Sequence, residues 1–507
     1  MTTGNPVDSE SIGARIRSGL AWKAGSQITL QISRMIVALV LARLLAPHDW
    51  GLAAMVLLFS SFVVVFTDSG LGTALIQRRD LTDEDRSTVF WTSVGLGLVL
   101  MVSGFALAGQ LARFYGEPAI RHLFMVLSVG FFVSTLGTTQ LALLVRDMQF
   151  RLLELRQIAA TVVGAVTGIT IALANFGAWA IVGQQLAEVT TSTLLIWYLS
   201  PWRPSATFST ASLRRLGGFA GNVFGENLLY QGGRNLSSLL IGRFLGPAAL
   251  GTYALATNVI LVPFSRIAGP LQQVFFPAFS RMSDDRERMA DVWIRATRLV
   301  GLISIPSLVG LVILAPDFVQ VVLGHRWSHA TSVIQILALV GIVQSLQTLN
   351  GEVLLALNRA GWLLRFTMLW FAGSVGAFVL GLHWGILGVA ACYAAATALI
   401  EPVRAYITTR ALGIPLMRFV SAFAGVVQAT GVMAVALVAG RSALVAAGVP
   451  TAARLIILVA LGGLLYGGCC LWRAPEITLE VRSAIRHRRQ RTGPAAETVG
   501  VEPSPIG

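Results

Sequence analysis

The sequence is poor in charged residues and in cysteine. Charged residues make up 12% of its 507 residues and apolar residues make up 55%, and the mean hydropathy is +0.72. A typical soluble domain contains about 25% charged residues. This scarcity of charge excludes an ordinary soluble domain and indicates an integral membrane protein.

Catalytic and metal-binding motifs are also lacking. The sequence has no G-x-S-x-G nucleophile elbow, no G-x-x-x-x-G-K-[ST] phosphate loop and no H-E-x-x-H zinc helix. Its one metal-like spacing, His325 and His329 in "GHRWSH", supplies too few ligands for a site. Cys392, Cys469 and Cys470 fall in apolar stretches and predict no disulfide. We expect neither an enzyme nor a resident cofactor or metal.

Apolar stretches long enough to cross a membrane recur from Gly19 to Trp472. A hydrocarbon core of about 30 Å needs about 20 apolar residues per helix. We count fourteen such stretches and predict an all-α integral membrane protein, whose first apolar segment is too long for a cleaved signal peptide. The predicted spans are 19–45, 50–77, 88–112, 119–145, 155–176, 178–199, 215–245, 250–279, 292–314, 328–355, 361–382, 385–408, 418–440 and 451–472.

The basic residues predict the orientation in the membrane. If the N-terminus is cytoplasmic, most of the 38 lysines and arginines fall in loops and tails on that side, as the positive-inside rule requires. Both termini are therefore expected in the cytoplasm. The formal net charge of +14 then follows from topology and indicates no nucleic-acid partner. The basic tail is expected to lie against anionic membrane lipids.

One segment of the chain is repeated. "LARLLAPHDWGLAAM" returns 200 residues later as "IGRFLGPAALGTYAL", and the matches include Pro47 with Pro247 and Gly51 with Gly251. Six predicted helices separate the copies, so both have the same orientation, as in transporters with parallel repeats. Each proline is expected to end the first helix of its lobe, and each glycine to relax the return into the next.

The duplication predicts two lobes of six helices each, followed by two extra helices. Such lobes bind substrate between them near the membrane midplane and rock against each other. The predicted organisation is a cytoplasmic tail 1–18, an N-lobe 19–200, a cytoplasmic linker 201–214, a C-lobe 215–410, extra helices within 411–472 and a basic, disordered cytoplasmic tail 473–507.

Polar residues form one stripe on the first predicted helix. Lys23, Gln27, Gln31 and Arg34 are spaced four, four and three apart, and fall within an arc of about 80°. The seventh helix carries a matching stripe of Asn227, Gln231 and Arg234, with Glu226 beside it.

The arginines of this stripe are costly to insert. Each opposes insertion by about 2.5–3.5 kcal/mol at a helix centre, so each is expected to face water, a partner or a ligand. One interpretation is a substrate cavity shared by the two lobes. The other is that each arginine pairs with a carboxylate, such as Asp68 or Glu226, and only joins helices.

Further polar residues occur inside predicted spans. Gln184, Glu188 and Gln347 offer the hydrogen-bond groups that sugar hydroxyls need, although amides also join membrane helices directly. Arg266, in "VPFSRIAGPLQQVFFP", extends the positive surface if it faces the cavity, while the prolines of that segment are expected to bend the eighth helix.

Several segments resemble one known family. "LARLLAPHDWGLAAM", "FTDSGLGTALIQRRDLTDEDRSTVFW", "LLVRDMQFRLL", "GAWAIVGQQL", "LIGRFLGPAALGTYALA" and "FPAFSRM" are similar to the polysaccharide-transporter, or Wzx-type, flippases of the multidrug/oligosaccharidyl-lipid/polysaccharide (MOP) exporter superfamily. The likeness is greatest to its lipopolysaccharide and colanic-acid exporter branch. It spans residues 12 to 285, with a weaker pattern to about 430.

This resemblance implies a two-lobed flippase of the bacterial cytoplasmic membrane. Its substrate would be an undecaprenyl-diphosphate-linked oligosaccharide for exopolysaccharide, capsule or O-antigen, and its pathway partners would be glycosyltransferases, a polymerase and a chain-length regulator. Related flippases have a cationic central cavity, and Arg34 and Arg234 would fit that role and hold the diphosphate. The polar pattern itself, apart from the resemblance, adds Lys23 and Arg266 as candidate cations. It also supplies the candidates for the sugars, which are Gln27, Gln31, Asn227, Gln231, Gln184, Glu188 and Gln347.

Two further functions stay open at this stage. A cation-coupled drug or metabolite exporter of the same superfamily would have the same helices. A membrane glycan polymerase or ligase would also be many-helical, although the sequence lacks a large loop for a catalytic pocket. Coupling to Na⁺ or H⁺ would use carboxylates inside the spans, and the candidates are Asp68, Glu226 and Glu352.

Overall fold

The computed structural model describes residues 29–67, 72, 75–76 and 80–473, and the side chains of these except 62–67, 214–234, 261–270, 273 and 472–473. Three predicted site residues, Lys23, Gln27 and Asp68, lie outside the described residues. Five more belong to a described helix, but their side chains lie outside the described set: Glu226, Asn227, Gln231, Arg234 and Arg266.

The described chain is built from helices and short helical turns, with no strand among the described residues. The helices are α1 (29–44), α2 (Pro47–Thr67), α3 (Asp83–Tyr115), α4 (Ala119–Thr135), α5 (Thr138–Arg146), α6 (Phe150–Leu173), α7 (Trp179–Leu199), α8 (Thr210–Arg281), α9 (Arg286–Phe318), α10 (Ala330–Leu346), α11 (Asn350–Ala356), α12 (Ala360–Gly381), α13 (Gly385–Leu412), α14 (Leu416–Ser421), α15 (Ala424–Ala446) and α16 (Thr451–Arg473). A π-helical turn, Val319–Leu323, and a 3₁₀ turn, His325–Trp327, join α9 to α10.

The helices follow the predicted spans, with differences at breaks. Span 119–145 is two helices, α4 and α5, at 41° to each other. The predicted spans 215–245 and 250–279 both lie within α8, which is interrupted between them by one non-helical residue, Gly246, with φ 81°. The expected bend of span 250–279 at its prolines stays a prediction. Eight helical stretches of the described residues are long and apolar enough to cross a membrane, or nine with the bent pair. The count of fourteen stays a prediction.

The structure shows a second pair of matching segments, which are separated by 210 residues instead of the 200 found in the sequence. Residues 122–140 and 332–350 have the same degree of burial at every position. The breaks between helices also coincide, because α4 ends at Thr135 and α10 ends at Leu346. Near each break a hydroxyl donates to the carbonyl three residues earlier, from Thr135 to Phe132 and from Ser345 to Ile342. Such back-bonding bends helices. We call residues 29–199 the first copy and residues 210–412 the second copy.

The repeated proline–glycine segments pack against each other. A methyl group at Gly51 would lie 1.7 Å from the carbonyl oxygen of Pro247, and one at Gly251 would lie 1.9 Å from that of Pro47. Only glycine permits this approach of backbones. The expectation that these glycines relax a return between helices is wrong: both lie inside helices and join the copies. We call residues 47–51 and 247–251 the two corners, and the end of the molecule where they meet the corner end.

A buried carboxylate attaches the last two helices. Asp317 of α9 is 1% exposed and accepts hydrogen bonds from Arg441 Nε at 2.6 Å and Arg454 Nε at 2.9 Å. Arg441 lies on α15 and Arg454 on α16. Because the charge of Asp317 is balanced from both helices, this group fixes α15 and α16 against the second copy.

Candidate substrate site in the first copy

Arg34 lies on the inward side of α1. Ile32 and Ile36, each 55% exposed, form an apolar face about 160° around the helix from it. An exposed apolar face on a membrane-crossing helix is the side that contacts lipid. The Arg34 side chain is 41% exposed and lies on the opposite side of α1 from this apolar face, which directs it away from lipid.

The carboxylate that Arg34 meets belongs to α7. Its Nη2 donates to Glu188 Oε1 at 2.9 Å, and Glu188 is 14% exposed. The same oxygen accepts from Gln157 Nε2 at 2.8 Å and from Thr161 Oγ1 at 3.1 Å. Three donors therefore converge on one carboxylate oxygen. We call Arg34, Gln157, Thr161 and Glu188 the Glu188 cluster.

Close packing of α6 against α7 positions Glu188. A methyl group at Gly164 would lie 3.0 Å from Glu188 Cβ, and one at Gly168 would lie 2.8 Å from Gln184 Cβ. Two glycines four residues apart let membrane helices approach closely. Gln157 and Thr161 precede them at the same helical spacing, so the polar groups of α6 reach Glu188 from one face.

Two predicted amides lie on the same elements. Gln31 is one turn before Arg34 on α1, and Gln184 is one turn before Glu188 on α7, and both are partly exposed. Among the described residues neither amide makes a hydrogen bond, so each can offer a donor and an acceptor to a ligand. The structure thus places four predicted residues on facing helices of the first copy.

Other predicted residues lie elsewhere. Gln347 is 6% exposed in the second copy, where its side-chain oxygen accepts from the amide of Asn350, which in turn accepts from Trp293 Nε1 at 3.0 Å. This chain of bonds joins helices, which is the packing interpretation of an amide. Glu352 lies on α11, where it interacts electrostatically with Arg404 of α13.

Sequence reasoning missed Gln157 and Thr161. The signal that could have found them is the run Gln157, Thr161, Gly164 and Gly168, whose spacing of four, three and four puts polar and small residues on one helix face. It also missed Asp317, which has no neighbouring basic residue in sequence and meets its arginines only through tertiary packing.

Arg34 can bind an anion in addition to Glu188. Arg34 has five N–H groups in a planar fork, and one nitrogen is engaged by Glu188. A phosphate oxygen matches the same fork. The N–H groups of Arg34 that Glu188 does not engage can therefore bind an anion, while Gln157 and Thr161 continue to donate to the Glu188 carboxylate.

Known proteins share this sequence pattern and this fold. The sequence model of the polysaccharide biosynthesis protein family matches residues 40–332, more than half of the chain. The lipopolysaccharide biosynthesis protein WzxC of Escherichia coli K12 is 29% identical over 378 residues, which are 73% of this chain and 76% of WzxC.

Two solved structures have the same fold. The lipid II flippase MurJ in an inward closed conformation has a TM-score of 0.72 at 13% identity, covering 90% of this chain and 100% of that chain. An inward-facing MATE-family multidrug transporter of the MOP superfamily has a TM-score of 0.61 at 15% identity, covering 77% and 98%. The expected all-α MOP fold is confirmed.

Proposed function

Because the chain belongs to the polysaccharide biosynthesis protein family, we propose that it is a flippase for undecaprenyl-diphosphate-linked oligosaccharides. It moves repeat units across the bacterial cytoplasmic membrane for the synthesis of a cell-surface polysaccharide such as exopolysaccharide, capsule or O-antigen. It catalyses no covalent step. Both termini are cytoplasmic, and the products go to the polymerase and chain-length regulator of the same pathway.

The position of Arg34 carries this proposal. Its guanidinium lies on a helix that we predict to cross the membrane, on the side opposite two exposed isoleucines, and it pairs with the carboxylate of Glu188. In the proposal an incoming anion replaces this carboxylate. A diphosphate cannot cross hydrocarbon without compensation of its charge, and a guanidinium stays protonated there. The lipid tail remains in the bilayer while the headgroup passes.

The neighbouring amides suit the glycan. Gln31 and Gln184 offer paired donors and acceptors to sugar hydroxyls, while the diphosphate binds Arg34 and its repeat counterpart Arg234. Lys23 and Arg266 add positive charge to the same path. Rocking of the two copies about the corner end then exposes the site to one side of the membrane at a time.

The driving force includes the membrane potential. With the cytoplasm negative, outward movement of one negative charge is favoured by about 2.3 kcal/mol per 100 mV. Exchange for Na⁺ or H⁺ adds to this, with Asp68, Glu226 and Glu352 as the carboxylates that would carry the cation. No other cofactor is part of the proposal.

The decisive experiment is leaflet exchange in liposomes. A headgroup-labelled undecaprenyl-diphosphate oligosaccharide is reconstituted with the wild type, Arg34→Ala, Arg234→Ala, the double variant and Arg34→Lys, with matched insertion. Arg121→Ala is the control, because Arg121 is exposed at the start of α4. We expect the double variant to lose exchange and Arg121→Ala to keep it.

Three results would contradict the proposal. If the double variant exchanges the labelled lipid at the wild-type rate, the arginines only join helices. If the wild type is inactive on several glycans but exports organic cations from vesicles, the protein is a drug or metabolite exporter. New polymer in the vesicles would instead indicate a polymerase or ligase.

A further inference from the structure

A pocket of about 450 Å³ opens at the corner end, between the two copies. Its polar lining comes from Arg43 at the end of α1, Asn175 between α6 and α7, and His325 and Arg326 in the turn that follows α9. Arg43 is nine residues beyond Arg34, about 13 Å along the helix, so this pocket lies outside the candidate substrate site.

The lining of the pocket is cationic. None of its nine residues is acidic, and among the described residues neither Arg43 nor Arg326 forms an ion pair with a carboxylate. Two guanidinium groups, an amide and an imidazole therefore surround a space without a negative group. A guanidinium prefers an anion with several oxygens that can accept paired hydrogen bonds.

Hydrogen bonds between the copies hold the two arginines in place. Arg43 Nη1 donates to the carbonyl of Val321 in the second copy, and Arg326 Nη1 donates to the carbonyl of Leu44 in the first, at 3.3 Å. Each bond uses one of five N–H groups, so the rest of each fork remains for a ligand. Trp327 fixes the same turn by donating to the carbonyl of Ala42 at 2.6 Å.

The pocket lies at the level where membrane helices end. Its walls are the connections and last residues of α1, α6 and α9, and Leu173 on its rim is 64% exposed. An exposed apolar side chain beside cationic groups suits a ligand with a charged group at the membrane surface. The volume exceeds that of inorganic phosphate and lies in the range of small-molecule sites, about 300–1,000 Å³.

We propose that this pocket binds a phosphate group, held by Arg43 from the first copy and by Arg326 and His325 from the second. A tetrahedral phosphate presents oxygens to donors on several sides, which matches donors that come from both copies. The bound group bridges the copies and stabilises the arrangement in which the corners are in contact. The phosphate belongs to a membrane lipid headgroup or to a soluble phosphate ester.

The test measures binding by the shift in the thermal unfolding midpoint of the purified full-length protein. The probes are phosphatidylglycerol, glycerol phosphate, which has no acyl chains, and diacylglycerol, which has no phosphate. We expect a saturable shift with phosphatidylglycerol and none with diacylglycerol. A matching shift with glycerol phosphate identifies the soluble ester as a sufficient ligand, whereas a shift with phosphatidylglycerol alone identifies the lipid headgroup.

Variants of the protein distinguish binding in this pocket from nonspecific attraction of the phosphate probes to the positively charged protein. Arg43→Gln with Arg326→Gln is expected to weaken binding at least about tenfold, from the loss of charged hydrogen bonds. His325→Ala tests the pocket without removing a hydrogen bond between the copies, and is expected to weaken binding about threefold. Arg121→Gln removes an exposed arginine outside the pocket and is expected to change nothing.

Three outcomes would overturn the proposal. They are no shift with either phosphate probe, an equal shift with diacylglycerol, and an equal loss of binding in Arg121→Gln. If the double variant does not fold, unchanged binding of the phosphate probes in His325→Ala would likewise overturn the proposal. None of these measurements depends on flipping activity, so the flippase proposal stands or falls separately.

Discussion

Substitution of the glycines at the corner end should open that end of the protein. A methyl group placed on Gly51 would lie 1.7 Å from the carbonyl oxygen of Pro247, whereas ordinary contact begins at 3.4 Å. The helices must therefore separate by about 1.7 Å, the difference between these two distances, to admit alanine. Overpacking of this kind costs about 1–3 kcal/mol. The cost applies only to the state in which the corners touch.

That cost predicts the size of the conformational shift. A free-energy change of about 1–3 kcal/mol moves a two-state equilibrium about 5-fold to 150-fold. Gly51→Ala and Gly251→Ala should each raise the open population by such a factor. The double variant should gain little more, because both methyl groups act at one helix crossing and the second meets an already separated pair.

Spin labels can report this opening. Labels on cysteines at Arg121 in the first copy and Trp384 in the second copy, both exposed near the ends of their helices, give the distance distribution across the molecule. Cys392, Cys469 and Cys470 are first replaced by serine. Both alanine variants should enlarge the population at long distance.

A matched control separates packing at the crossing from a general effect of alanine. Gly109 lies inside α3, and a methyl group there would meet no atom within 4 Å. Gly109→Ala should leave the distances unchanged. If Gly51→Ala gives the wild-type distribution, or if Gly109→Ala shifts it equally, the corner contact does not control opening.

Three further predictions concern the charge clusters and the glycine packing of α6. Glu188→Gln should tighten binding of the lipid-linked glycan about tenfold, because it removes the competing anion, whereas Arg34→Ala should weaken it by a similar factor; equal effects of the same sign in a binding titration would contradict anion exchange. Asp317→Asn should lower the free energy of unfolding by about 3–5 kcal/mol, because two arginines lose their buried partner; denaturation of this variant beside Asp284→Asn, which alters an exposed loop, measures the difference. Gly164→Leu should separate α6 from α7 and cost about 1–3 kcal/mol, so a stability equal to the wild type would show that the close approach is not required.

The sequence predicted the fold class because hydropathy and helical period are local properties. The apolar stretches place helices such as α6 and α7 within a few residues of their observed ends. The polar stripe of the first predicted helix also predicted that Arg34 faces away from lipid, since an arginine that contacts lipid within a span is costly. The recurrence of Pro47 and Gly51 as Pro247 and Gly251 was likewise evident from the sequence alone.

The partners of these residues required the tertiary structure. Glu188, the carboxylate that Arg34 meets among the described residues, is 154 residues away, whereas the sequence suggested Asp68 or Glu226. Nearly uniform apolar helices carry little information about which neighbour they face, and that choice depends on small residues that permit close approach. Composition and the helical period of the sequence therefore determined which side chains lie inside the membrane protein. Only the packing of α6 against α7, and of residues 47–51 against residues 247–251, decided what these side chains contact.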